Sequence, residues 1–206
     1  MKRRVILLTG AILTFLCLSG PAGEAYGISR YIDDYSETEK TTAEMGISTA
    51  TDILRNIKAR DYKALSGCIH PEKGVIFSPY SYVNKDEDIT LTADQLLSSG
   101  NNSKYIWGSY GEGPNPIELT IEEYFDQFVY DKDYLSADQV AVNSIIRSGN
   151  SIENVAEVFN DCLFVDFHDP GSTAYEGLDW SSLKIVLENY NGDYKVVAII
   201  HSSYTL

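Results

Sequence analysis

Two long, apolar-rich runs, Leu183 to Asn189 and Tyr194 to Tyr204, flank the dipeptide Asn191-Gly192 near the end of this chain. Asn-Gly is favoured in two-residue hairpin turns because both central residues must take a positive φ. Pairing Tyr190 with Asp193 predicts Glu188 opposite Lys195, Leu187 opposite Val196, Ile185 opposite Ala198 and Leu183 opposite Ile200. One face is then continuously apolar. The other carries the Glu188–Lys195 pair, Lys184 and His201 among Val186, Val197 and Ile199. A one-residue slip would mix the two sets, so the pattern selects this register.

Upstream of the hairpin the periods change. Ile47, Ala50, Ile53, Leu54 and Ile57 recur at three- and four-residue steps, which predicts a helix over residues 47 to 59. Asp61 caps a second, short helix carrying Ala64, Leu65, Cys68 and Ile69 and ended by Pro71 and Gly74. A strand is expected over 75–82, a Thr-capped helix over 92–98, and an aromatic strand over 104–110. A longer amphipathic helix begins at Thr120, whose pairing with Glu123 reads as a capping box. Strands over 140–146 and 161–168 flank a short helical turn near 151–158. Helices first, mixed elements next and long antiparallel strands last make the fold class α+β: a curved antiparallel sheet with helices packed on one face.

The N-terminus has its own order: Lys2, Arg3 and Arg4, an apolar run from Val5 to Leu18, then small residues through Ala25. That is the layout of a cleavable secretory signal peptide over residues 1–25, and the apolar run is too short and too broken for a stable membrane span. Residues 26–46 read as a flexible acidic leader, and 47–206 as a single domain. Losing Lys2, Arg3, Arg4 and Glu24 would take the net charge from −14 to −16. Such a surface repels phosphate backbones, and no basic cluster follows Arg4, so nucleic-acid binding is excluded. Cys17 would leave with the peptide. Cys68 and Cys162 would remain in a compartment where a disulfide persists, either bridged or as two buried thiols.

The opening helices, the mixed middle and a last strand reading Gly192-Asp193-Tyr194-Lys195-Val196-Val197 resemble the NTF2-like, or cystatin-like, cone. A second resemblance, to uncharacterised exported bacterial domains, is carried by five stretches. These are His70-Pro71-Glu72-Lys73-Gly74-Val75 with Phe77-Ser78-Pro79-Tyr80, Tyr105-Ile106-Trp107-Gly108, Phe128-Val129-Tyr130-Asp131, Tyr175-Glu176-Gly177-Leu178-Asp179-Trp180 and Ile199-Ile200-His201. The resemblance implies a cone with a pocket between helices and sheet, and no particular chemistry.

Candidate catalytic residues come from alternation in the strand Cys162 to His168, which puts Cys162, Phe164, Asp166 and His168 on one face. In a pocket, Asp166 could orient the His168 imidazole as a general base. His70 is expected to serve a helix end by bonding free carbonyls, and His201 to project from the charged hairpin face opposite Ser182. The three histidines have no zinc spacing and the acidic loops lack the calcium pattern. No phosphate loop, dinucleotide fingerprint or nucleophile elbow occurs, so neither metal nor cofactor is expected. Tyr105, Trp107, Tyr175 and Trp180, with Glu176 and Asp179, would suit a cleft for a ring-shaped or sugar-like ligand. The leading expectation is an exported, non-catalytic binding or interaction domain. Its partner would be a small molecule, a glycan or an envelope protein. The alternatives are a small hydrolase or isomerase using Asp166 and His168, and a homodimerisation module using Val186, Val197 and Ile199.

Overall fold

The computed structural model describes residues 12–14, 36–98, 103–111, 113 and 115–204. Apart from 12–14, the expected signal peptide lies outside the described residues. In chain order the elements are β1 (Ile12–Thr14), α1 (Glu37–Lys58), α2 (Tyr62–Cys68), β2 (Val75–Ser78), β3 (Ile89–Leu91), α3 (Ala93–Leu97), β4 (Tyr105–Ser109), β5 (Pro116–Leu119), α4 (Ile121–Tyr124), β6 (Gln139–Val142), α5 (Val155–Val158), β7 (Leu163–Asp169), β8 (Ser181–Tyr190) and β9 (Asp193–Ser203). A mixed α+β architecture results. The main sheet has the order β1-β6-β7-β8-β9-β2-β3 and is antiparallel except for the β2–β9 pair, while β4 and β5 form a separate ribbon.

Helix α1 begins ten residues ahead of Ile47, so Glu37 to Gly46 belong to it and not to a leader. Its start is set by a capping box: Ser36 Oγ accepts from Glu39 N–H while the Glu39 carboxylate accepts from Ser36 N–H. The added turns are largely solvated and carry no apolar period. Capping chemistry, not amphipathicity, extends the helix. Gly46 lets it approach the sheet, since a Cβ there would lie 2.6 Å from Leu163 Cδ2. The expected caps at Asp61, Thr92 and Thr120 are all present. Beyond α4 the chain makes one π turn, Phe125–Val129, instead of continuing as a longer α-helix.

The hairpin follows the expected pairing from Tyr190–Asp193 through Leu187–Val196 and then departs from it. A bulge at Val197 inserts one residue into β9, so Val186 faces Ala198, Ile185 faces Ile199 and Leu183 faces His201. Neither Ile185–Ala198 nor Leu183–Ile200 is a pair. Lys184 and His201, expected on one face, therefore point to opposite faces, and His201 is not opposite Ser182.

Both faces of the sheet are covered. On one, α1, α2, the β4–β5 ribbon and the α4 region pack Ile53, Leu54, Leu65, Trp107, Tyr124 and Phe125 against Phe77, Leu183, Ile185, Leu187 and Ile199. On the other, Val83, Val155 and Phe159 cover Phe164, Val186, Val197, Ala198 and Ile200. Val186, Val197 and Ile199, on which the dimerisation alternative relied, are thus buried within the chain, the first two on one face of the sheet and Ile199 on the other.

Cys68 packs with the first of these cores and Cys162 with the second, and both are free thiols. The sheet lies between them, which argues against the bridge. Ellman titration in denaturant without reductant should find both Cys68 and Cys162 reactive; protection of the pair would show a rearranged sheet.

Candidate functional site

Three polar assemblies stand out, and the first contains the expected catalytic pair. Strand alternation does put Asp166 and His168 on one face of β7, yet both are buried in a protein-filled cluster. Asp166 Oδ2 accepts from Ile146 N–H at 3.0 Å, while Oδ1 is buried without a partner. Lys184, the cross-strand neighbour of Asp166, is 0 % exposed; its Nζ lies 3.1 Å from Glu153 Oε2 and donates to Ser202 Oγ at 2.6 Å. Burial pushes the Asp166 carboxyl up, against the opposing pull of Lys184, and pushes Glu153 up for the same reason.

His168 Nδ1 is 2.8 Å from Ser182 Oγ, and its ring lies 5.7 Å from that of Trp180. Burial, assisted by the nearby Arg147, lowers its pKa from 6.5 to about 4. The folded protein thus holds His168 neutral where the unfolded chain would protonate it. The contribution to stability is present above pH 6.5 and lost as the pH falls toward about 4. Urea midpoints measured across this window should fall less in His168→Gln than in the parent; equal slopes would remove His168 from the acid response.

The second assembly lies on the opposite face and was not foreseen. Tyr134 O–H donates to Asp131 Oδ1 at 2.6 Å and its oxygen lies 2.5 Å from Ser181 Oγ. Ser181 Oγ is 3.0 Å from His201 Nε2, which is also 3.3 Å from Asp131 Oδ2. A carbonyl can only accept, so His201 Nδ1 donates to Pro79 O at 3.1 Å and fixes the ring. Burial works against the Asp131 carboxylate, but the nearby His201 ring and hydrogen bonds from Tyr134 and Ser181 hold it below its usual range. Ser181 and Tyr134 are each 1 % exposed, so this network ties the π-turn region to the sheet and offers no open nucleophile. Asp131 and His201 are far apart in sequence, and the Val197 bulge decides that they meet.

His70 acts oppositely to expectation. Its Nδ1 accepts from the N–H groups of Glu72 and Lys73, at 3.2 and 3.1 Å, and so organises the turn into β2.

The third assembly is an open groove of about 450 Å³ lined by Ala174, Tyr175, Glu176, Leu178, Asp179 and Tyr204. Of the six residues expected to form a cleft, Tyr175, Glu176 and Asp179 meet here. Trp107 is 0 % exposed and stacked on Tyr124 with ring centroids 3.8 Å apart. Tyr105 packs beside it on the same core, and Trp180 is buried. These three are core residues, not cleft walls. Short hydrogen bonds fix the groove loop: Ser172 N–H to Asp179 Oδ1 at 2.7 Å, Gly177 N–H to Ser172 O at 2.9 Å and Leu178 N–H to Tyr175 O at 2.9 Å. Glu176 is held at φ 54°, a left-handed conformation that costs a non-glycine residue energy and that only a well-built loop maintains. Asp179 is also 3.8 Å from Lys132 Nζ, whereas the side chains of Tyr175, Glu176 and Tyr204 have no polar partner among the described residues. Tyr175 is 66 % and Tyr204 42 % exposed.

Among the described residues no group of three or more His, Cys, Asp and Glu side chains could hold a metal, and no helix is long and apolar enough to cross a membrane. Set against family models, curated proteins and solved structures, the chain matches none of them.

Proposed function

We propose that this chain is an exported, non-catalytic binding domain, acting at the cell envelope or outside the cell, whose ligand surface is the groove between the 174–179 loop and Tyr204. The carrying observation is that Tyr175, Glu176 and Tyr204 converge there exposed and without polar partners. Two tyrosine rings give a stacking surface and the carboxylate an acceptor for hydroxyls, which suits a ring-shaped, sugar-like ligand. A rigid loop adds affinity because little order remains to be imposed on binding.

Export rests on the basic, apolar and small-residue order of residues 1–25. Cleavage there would also remove β1 and leave β6 as a sheet edge. The NTF2-like cone remains part of this reading, supported by helices α1 and α2 ahead of a long β7–β8–β9 antiparallel sheet that they cover on one side. Aromatic packing around Trp107, Tyr124, Phe77 and Phe125 fills the helix-side interior where a cone could hold a pocket. That favours a surface groove over an internal cavity. The enzyme alternative has weaker support, because Asp166 and His168 are buried and neither lines the groove.

Glycan capture by the purified protein tests the binding role. Tyr175→Ala should abolish capture while changing stability by no more than about 0.5 kcal/mol, as expected of an exposed side chain. Undiminished capture by the variant would move the ligand surface elsewhere.

A further inference from the structure

We infer that the ligand of the groove carries a carboxylate, which the Arg147 guanidinium receives. This rests on the binding role proposed above and narrows it to acidic sugars.

Three arginines fall among the described residues: Arg55, Arg60 and Arg147. Arg55 pairs with Asp52, and Arg60 with Glu122 and Asp126. Arg147 has no carboxylate partner among the described residues, in a chain with a net charge of −14. It is half-buried, with its guanidinium over the Trp180 ring, 5.1 Å from the centroid. Stacking restrains the plane of the group, and the residue keeps part of its surface exposed although it is not one of those lining the groove. Its place is against the groove loop: a Cβ added to Gly177, between the lining residues Glu176 and Leu178, would lie 3.7 Å from Arg147 Nη1. Burial and then the charge of Arg147 disfavour protonation of nearby His168, while Asp169 acts the other way.

A planar fork matches a carboxylate through two parallel hydrogen bonds. A phosphate dianion fits less well, because one guanidinium would have to balance it beside Glu176 and Asp179. A uronic-acid ring divides its groups to suit: carboxylate to Arg147, hydroxyls to Glu176, and ring faces to Tyr175 and Tyr204. With no carboxylate partner among the described residues, Arg147 also needs no competing ion pair there broken before it binds.

Titration of the purified protein with methyl glucuronide and methyl glucoside, which differ in that carboxylate, tests the inference. The wild type should bind the glucuronide about tenfold more tightly or better, as one charge-assisted bidentate contact provides. Arg147→Gln should bind the two sugars equally, and Arg147→Lys, which keeps charge but loses the fork, should retain part of the preference. Circular dichroism and unfolding midpoints verify the fold of each variant, and Arg147→Lys carries the test if the Gln variant is unstable. Equal binding of both sugars by the wild type, or a preference that survives in Arg147→Gln, overturns the carboxylate assignment and leaves the groove standing. If neither sugar binds the wild type, the carboxylate assignment and the sugar-binding reading of the groove both fail.

Discussion

Lys184→Met should destabilise the protein by about 3–5 kcal/mol, the usual consequence of removing one member of a buried ion pair. The methionine fills most of the lysine's volume, so little of this loss comes from a cavity. It comes from what remains: Glu153 keeps a largely buried carboxylate and Asp166 a fully buried one, with no cation among the described residues paired with either. Burial already pushes both carboxyls up, and without Lys184 the remaining offset to that burial is weaker. Urea unfolding at neutral pH measures the effect as a lower midpoint at constant slope. Adding Glu153→Gln should recover part of the loss, because the amide carries no charge to strand. A Lys184→Met protein as stable as its parent would mean that water reaches the cluster.

Trp107→Ala should cost a similar amount, about 3–5 kcal/mol, through lost transfer energy and an unfilled cavity. The indole stacks on Tyr124 at an interplanar angle of 12°, meets Phe77 edge-on at 5.8 Å, and donates from Nε1 to Leu119 O at 2.9 Å. That last bond joins β4 to β5, so the variant should also lose amide protection across the ribbon before the main sheet opens. Calorimetry and hydrogen exchange together read both effects. Had Trp107 been a wall of a ligand cleft, its removal would abolish binding and spare stability; the structure assigns it the reverse.

Local chemistry made much of the fold legible. Asn191-Gly192 set the turn, and Asp61, Thr92 and Thr120 marked helix starts, because each acts through hydrogen bonds to its immediate neighbours. Ser36 sent the same signal, but the first turns of α1 face solvent and lack the apolar period that would have drawn attention to it. Less legible was anything decided by a distant strand. The β2–β9 pairing is parallel and joins segments more than a hundred residues apart, and no pattern within Val75–Ser78 announces it. Sequence placed Asp166 and His168 on one face correctly but could not say that the 143–159 stretch would close over that face. Tyr175, Glu176 and Asp179 were recognisable as a set because they share one loop. Tyr204 joined them only through the fold.

The bulge at Val197 makes β9 a strand in two phases. Before it, residues keep the alternation set at the turn; after it, Ile199 and His201 face the helices while Ile200 and Ser202 face the other side. Were Val197 paired in an unbroken ladder instead, it would face Val186, and His201 would leave Ser181 and Asp131 for the neighbourhood of Lys184 while Ser202 moved to the helix side. Deleting Val197 would straighten the strand and keep both networks, because Ala198, Ile199 and His201 would retain Val186, Ile185 and Leu183 as partners. The tail of the chain is thus one residue longer than its ladder needs, and the absorption of that residue, not its side chain, sorts His201 and Ser202 to their two networks.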